Sequence, residues 1–185
     1  MLFVIDLQND FIDQNQGKMA INGADALIEP IKKKIREYRE KGDLVVFTKD
    51  SHIEVYQGSK ESQSSEEKKY DEEEIAWGHE IVKALQEEFK SSESFEKKYH
   101  GISPDDLHEF KKQYGDQKEC LKTIEFVGTE THVCILSNAV LIQNLFPDSE
   151  ILIDENFVMS SDNGLHQQSL TIMENLNMKV RRKKS

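Results

Sequence analysis

Apolar residues fall along this 185-residue chain in two patterns. Short, solid apolar runs occur at residues 2–6 (LFVID), 43–48 (DLVVFT), 123–128 (TIEFVG) and 150–155 (EILIDE). Runs of this length without polar alternation mark strands buried on both faces. Weaker strands are expected at 94–97 (SFEK) and 178–180 (MKV). Between these runs the apolar spacing lengthens to three and four. Leu27, Ile28, Ile31, Ile35 and Tyr38 make one stripe with Lys, Arg and Glu opposite, and Gly42 supplies a helix-ending glycine. Ile81, Val82, Leu85 and Phe89 give helical spacing after Trp77. Ser103 reads as a helix N-cap, with Pro104 next and Asp105 and Asp106 in the first turn; Leu107, Phe110 and Tyr114 follow, and Gly115 ends the run. Residues 131–146 are apolar on most sides, as in a helix laid against a sheet, and residues 162–176 are amphipathic.

Solid strands separated by helices predict an α/β fold in three layers, a mostly parallel, doubly wound sheet with helices on both faces. The length suits one domain over residues 1–185, and no internal repeat is visible. One stretch breaks the pattern. Residues 54–75 are polar, charged and nearly free of apolar side chains, which predicts an inserted loop or lid. In such sheets ligands bind beyond the carboxyl ends of the strands, so the residues after each strand carry the chemical information. The first strand ends at Asp6. The second ends at Thr48, followed by Lys49, Asp50, Ser51 and His52. The third ends at Gly128, followed by Thr129, Glu130, Thr131, His132, Val133 and Cys134.

Net charge narrows the partners. At −11 the chain repels nucleic acid, and the basic run at 179–184 (KVRRKK) reads as a solvated end. No apolar stretch approaches the ~20 residues of a membrane helix, and the chain opens directly on a strand-like run, so neither a membrane span nor a leader is expected. Two cysteines, Cys120 and Cys134, make no disulfide framework, which points to a reducing, cytoplasmic setting.

Cys134 stands where a strand-to-helix loop becomes a helix. The helix dipole there would lower its pKa, and the unpaired N–H groups of a first turn can face a developing oxyanion. By position alone the same residue also reads as a buried structural cysteine. Asp6, at the end of a buried strand, reads as a loop cap or as a working base. A lysine near both would favour thiolate and carboxylate, but spacing does not single one out.

The segments FVIDLQNDF, KDSH, FEK and GTETHVCILSNA, in this order, resemble the cysteine hydrolases of the isochorismatase-like superfamily, which includes nicotinamidases. The likeness runs over essentially the whole chain. It implies that fold, with Asp6, a lysine and Cys134 as a catalytic triad. The lysine falls on Lys97, with Lys98 as the alternative. The oxyanion hole implied is the backbone N–H of Glu130 and of Cys134, with Thr129–Glu130 as the place for a non-proline cis peptide. Asp50 and His52 match two of the family's ligands for zinc or a similar divalent ion. The third has no clear match: Asp71 or Glu72 stands in the region, and His79 lies far along. Phe11 and Trp77 are candidate substrate-binding aromatics, and Tyr99 and His100 follow the lysine. The reaction implied is cleavage of a small amide, nicotinamide to nicotinate and ammonia. Other small amides, carbamoyl or ureido compounds, and a non-catalytic ligand-binding role stand as alternatives, and self-association into a homo-oligomer is common among relatives.

Overall fold

The computed structural model describes residues 1–51 and 72–183. Its strands are β1 (Leu2–Ile5), β2 (Val45–Asp50), β3 (Glu93–Lys97), β4 (Thr123–Thr129), β5 (Glu150–Met159) and β6 (Lys179–Arg181). The helices are α1 (Asn9–Ile12), α2 (Ile28–Glu40), α3 (Glu72–His79), α4 (Gln86–Lys90), α5 (Pro104–Tyr114), α6 (Lys118–Leu121), α7 (Leu136–Leu145) and α8 (Asn163–Asn175). All six strands lie parallel in one sheet of order β3-β2-β1-β4-β5-β6. The chain winds outward from β1 to β3, crosses back, and winds outward again from β4 to β6. The winding therefore reverses between β1 and β4, and the crevice at their carboxyl ends is where such a sheet binds ligands.

Alternation along β1 shows why both faces are apolar. Phe3 and Ile5 pack with Phe110 of α5, Ala139 and Ile142 of α7, and Leu170 and Met173 of α8. Leu2 and Val4 pack on the other face with Ile31 and Ile35 of α2 and with Leu85. Phe3 stacks on Phe126 with centroids 5.0 Å apart and meets Phe110 edge-on at 5.9 Å. Glu125 is the polar intruder in β4. Lys34 sits 2.7 Å from it, and the Tyr38 hydroxyl donates to it at 2.6 Å, so α2 supplies the partners that a buried carboxylate needs.

Several expectations meet their elements, with differences that have physical causes. Ser103 caps α5 by accepting from Asp106 N–H, and Asp162 caps α8 by accepting from Leu165 N–H. Gly42 follows α2 with φ 76. Ile81 and Val82, expected on a helix, are extended instead. Ile81 bridges Gln8, and Val82 N–H donates to the Leu7 carbonyl, so pairing with a distant segment overrides the local spacing. The expected helix at 131–146 opens with a widened π-type turn, Thr131–Ile135, before α7 starts. β5 runs to Met159 because its pairing with β4 resumes past a register shift between Phe126 and Gly128. Gly128 has φ 116, and a Cβ there would lie 2.1 Å from the Ile5 carbonyl oxygen, so only glycine lets β1 and β4 pass this closely. Of the expected insertion at 54–75, residues up to 71 lie outside the described residues, and Glu72 opens α3.

Gln8 ties together the two segments flanking that insertion. Its side chain accepts from Asp50 N–H at 2.7 Å and donates to the carbonyls of Asp50 at 2.9 Å and His79 at 3.1 Å. No helix among the described residues is long and apolar enough to cross a membrane.

Truncating the central ring tests this packing. Phe3→Ala should lose about 3–5 kcal/mol of stability, read in urea unfolding as a lower midpoint with an unchanged slope.

Candidate active site

Four segments deliver ionisable side chains to the crevice. Asp6 immediately follows β1, Asp50 ends β2, Lys97 ends β3, and Cys134 lies in the turn after β4. Asp50 and Lys97 are paired across the β2–β3 register, which places both at the same edge of the sheet. Lys97 is 2% exposed. Its Nζ lies 2.9 Å from Asp6 Oδ2, 3.6 Å from Asp50 Oδ2 and 3.9 Å from Cys134 Sγ. Lys98 is exposed and stands outside this cluster.

Neighbouring groups hold each member in place. Thr48 donates its hydroxyl to Asp6 Oδ1 at 2.5 Å and accepts the Asp6 N–H at 3.3 Å. Asp6 has φ 49, in the left-handed region that Asp tolerates better than most residues. Ser51 donates both its N–H and its hydroxyl to the Lys97 carbonyl. Asn138, fully buried on α7, donates to the carbonyls of Cys134 at 2.7 Å and His100 at 2.9 Å and accepts from Ile102 N–H. One amide thus joins the chain just beyond Lys97 to the turn that bears the thiol.

Burial and charge act in opposite directions here. Burial pulls the Lys97 ammonium down, but Asp6, Cys134 and Asp50 together hold it well above the ordinary lysine value. Burial pushes the Cys134 thiol up, Asp6 pushes it further, Lys97 opposes, and Asp50 adds to the rise. The net direction is well above an ordinary cysteine. This corrects the expectation of a thiol acidified by a helix beginning: desolvation and two carboxylates outweigh one ammonium.

The backbone beside the thiol is distinctive. The Thr129–Glu130 peptide is cis. The N–H groups of Val133 and Ile135 both donate to the Glu130 carbonyl, which pins the turn. The Glu130 side chain accepts from Ser161 N–H at 3.3 Å and lies 3.5 Å from His132 Nδ1. A cavity of about 500 Å³ opens on Asp6, Asp50, Glu130 and Cys134, with Phe11, Met19 and Val133 as apolar wall and His100 beside them. Trp77 is not among the described residues lining it; its carbonyl accepts from the Asn9 side chain. Tyr99 is exposed. A second cavity of about 620 Å³, at Asp154, Asn156 and residues 181–183, shares no residue with this cluster.

Of the metal pair, Asp50 is in the cluster, while His52, like Asp71, lies outside the described residues. His79 ends α3 with its carbonyl on Gln8. Around Asp50 the described donors are His100 and Cys134, whose ligand atoms lie within 4.8 Å of one another. These donor types suit zinc. The same set takes in the thiol and abuts the Lys97 ammonium, and it is the one such cluster of three donors among the described residues.

Sequence reasoning missed Asn138, Met19 and Ser161. Asn138 sits four residues after Cys134, on one helical face with it, and that spacing was its signal. Met19 and Ser161 reach the cavity from loops, where spacing carries no such information.

Comparison with known proteins bears on the family and the fold. The Isochorismatase domain model matches residues 1–185. No curated protein matches the chain. Among solved structures, the pyrazinamidase of Pyrococcus horikoshii in complex with zinc is 21% identical with a TM-score of 0.76, covering 98% of each chain. Nicotinamidase from Bacillus subtilis is 24% identical at 0.76, covering 97% of each. The yeast nicotinamidase bound to the inhibitor nicotinaldehyde is 15% identical at 0.73, covering 98% of this chain and 99% of that one. At these identities the structures speak to a shared fold, and the match over residues 1–185 speaks to ancestry: the chain belongs to the isochorismatase family.

Proposed function

We propose that this protein is a cysteine hydrolase that cleaves the C–N bond of a small amide, with nicotinamide as the leading substrate. The observation that carries the reading is the Lys97 ammonium within 4 Å of Asp6, Asp50 and Cys134 at the crevice of the sheet. Nicotinamidases and pyrazinamidases among the structures of like fold support a small aromatic amide, and Phe11 on the cavity wall offers a ring for it to stack against.

The chemistry follows from the electrostatics. Because the resting thiol is held protonated, it needs a base, and Asp6 takes its proton as the sulfur attacks the carbonyl carbon. Lys97 stabilises the thiolate while it forms. The N–H groups of Glu130 and Cys134 receive the oxyanion. Asp6 returns the proton to nitrogen, ammonia leaves, and a thioester remains on Cys134. Asp6 then activates a water that attacks the thioester, releasing the acid and restoring the thiol. In sum, amide and water become acid and ammonia. Carbamoyl and ureido compounds present the same carbonyl to the same thiol and belong in the substrate panel.

Cys134→Ala should abolish ammonia release from nicotinamide while circular dichroism stays native; retained turnover would refute the thioester. Asp6→Asn should lower kcat by about 10²–10⁴-fold in the same assay, the range for loss of a general base. In the resting protein, the pH profile of Cys134 alkylation should give an apparent pKa above the ~8.5 of free cysteine. Asp6→Asn should move it down and Lys97→Met should move it up. The opposite signs would show that the thiol is not governed by these two charges.

A further inference from the structure

Thr131 opens the turn that bears Cys134, and its side chain is fully buried. His166, near the start of α8 and itself buried, brings Nδ1 to 3.0 Å from the Thr131 hydroxyl. The other ring nitrogen, Nε2, faces Glu155 Oε1 of β5 at 3.6 Å. That carboxylate is fixed in turn: it accepts from the Gln167 side chain at 2.7 Å and from Lys183 N–H at 2.8 Å. Burial lowers the pKa of the His166 ring, with Glu155 opposing and Lys183 and Arg182 adding to the fall. A neutral ring beside a carboxylate keeps its hydrogen on the nitrogen facing that carboxylate. Nδ1 is then the acceptor and the Thr131 hydroxyl the donor. The contact continues through the backbone, because the Thr131 carbonyl accepts from Leu136 N–H, two residues beyond Cys134. One hydroxyl thus fastens the turn that carries Sγ to 3.9 Å from Lys97 Nζ.

We propose that His166 is a positioning residue for Cys134, acting through Thr131, with Glu155 selecting the ring tautomer that makes the contact. The inference rests on the amidase reading for what the thiol does, though not for where the thiol sits. A histidine that merely filled the space between α8 and β5 would, on removal, cost stability and leave the thiol of the folded protein in the same surroundings. A positioning histidine does more. Without its bond to Thr131 the turn relaxes, and Sγ withdraws from the buried carboxylates that push it up toward better hydration. Glu155 keeps its bonds to Gln167 and Lys183 when the ring is removed, so a substitution at 166 leaves that end anchored.

Alkylation by iodoacetamide reads the thiol without any substrate. Rates at Cys134 would be followed by mass spectrometry of peptides from about pH 7.5 upward, above the usual imidazole range, with Cys120 as internal control in the same chain. H166L removes the acceptor, and T131V removes the donor at nearly the same shape. H166N presents an acceptor oxygen close to where Nδ1 stood, and T131S keeps the hydroxyl. H166L and T131V should each lower the apparent pKa of Cys134 by about one unit or more, a tenfold gain in thiolate at pH 8, while Cys120 does not move. The double variant should shift no further than either single, because the same bond is lost in all three. H166N and T131S should stay near the parent. An unmoved Cys134 in T131V would overturn the proposal, and T131V decides the matter alone if H166L does not fold. Additive shifts in the double variant, or an H166N that behaves like H166L, would overturn it too. In the ammonia assay H166L should lower kcat by about 10²-fold, the range for a misplaced reacting group, with KM nearly unchanged. The alkylation shifts in a chain that hydrolyses no amide would keep the positioning role and overturn the amidase reading instead.

Discussion

A buried ammonium is costly unless opposite charges meet it, and this molecule meets the one on Lys97 with two carboxylates drawn from different strands. That single cation sets the position of nearly everything near it. Asp6 must leave β1 with its side chain turned toward β3, which the left-handed φ and the Thr48 hydroxyl accomplish. Asp50 must end β2 in register with Lys97. The thiol must come close enough to share the ammonium, and Asn138 fixes that distance by holding the backbone on both sides. Remove the cation, and two carboxylates are left facing each other in a site with little water.

The same cluster explains why a protonated thiol and a base belong together. A thiolate stabilised at rest would need only a cation. In the proposed hydrolysis, a thiol raised by burial and by carboxylates would need a partner to take its proton at the moment of attack, and Asp6 is adjacent to the same ammonium. In that proposal Lys97 would lower the cost of separating charge without cancelling it beforehand.

The core strands were readable in the sequence because burial on both faces leaves a solid apolar run, as in β1 and β4. β3 was faint because it is the edge strand, with Glu93, Ser94 and Glu96 facing outward or partly so. Motif order brought attention to Asp6, Lys97 and Cys134, and strand alternation explains why Lys97 rather than Lys98 turns inward. The sign of the thiol shift was not readable. It depends on burial and on carboxylates contributed from remote parts of the chain, whereas the sequence displays only the local helix beginning. The break at Ile81 and Val82 was hidden for the same reason, since their partners Gln8 and Leu7 lie some seventy residues earlier.

Gln8 fastens Asp50 and His79 to one immobile amide. The two anchor points are thereby held by something other than the chain that runs between them. Those three bonds set where the chain leaves β2 and where it returns at the end of α3. One buried amide is thus the clasp at the rim of the crevice, holding the strand end that carries Asp50 beside Lys97.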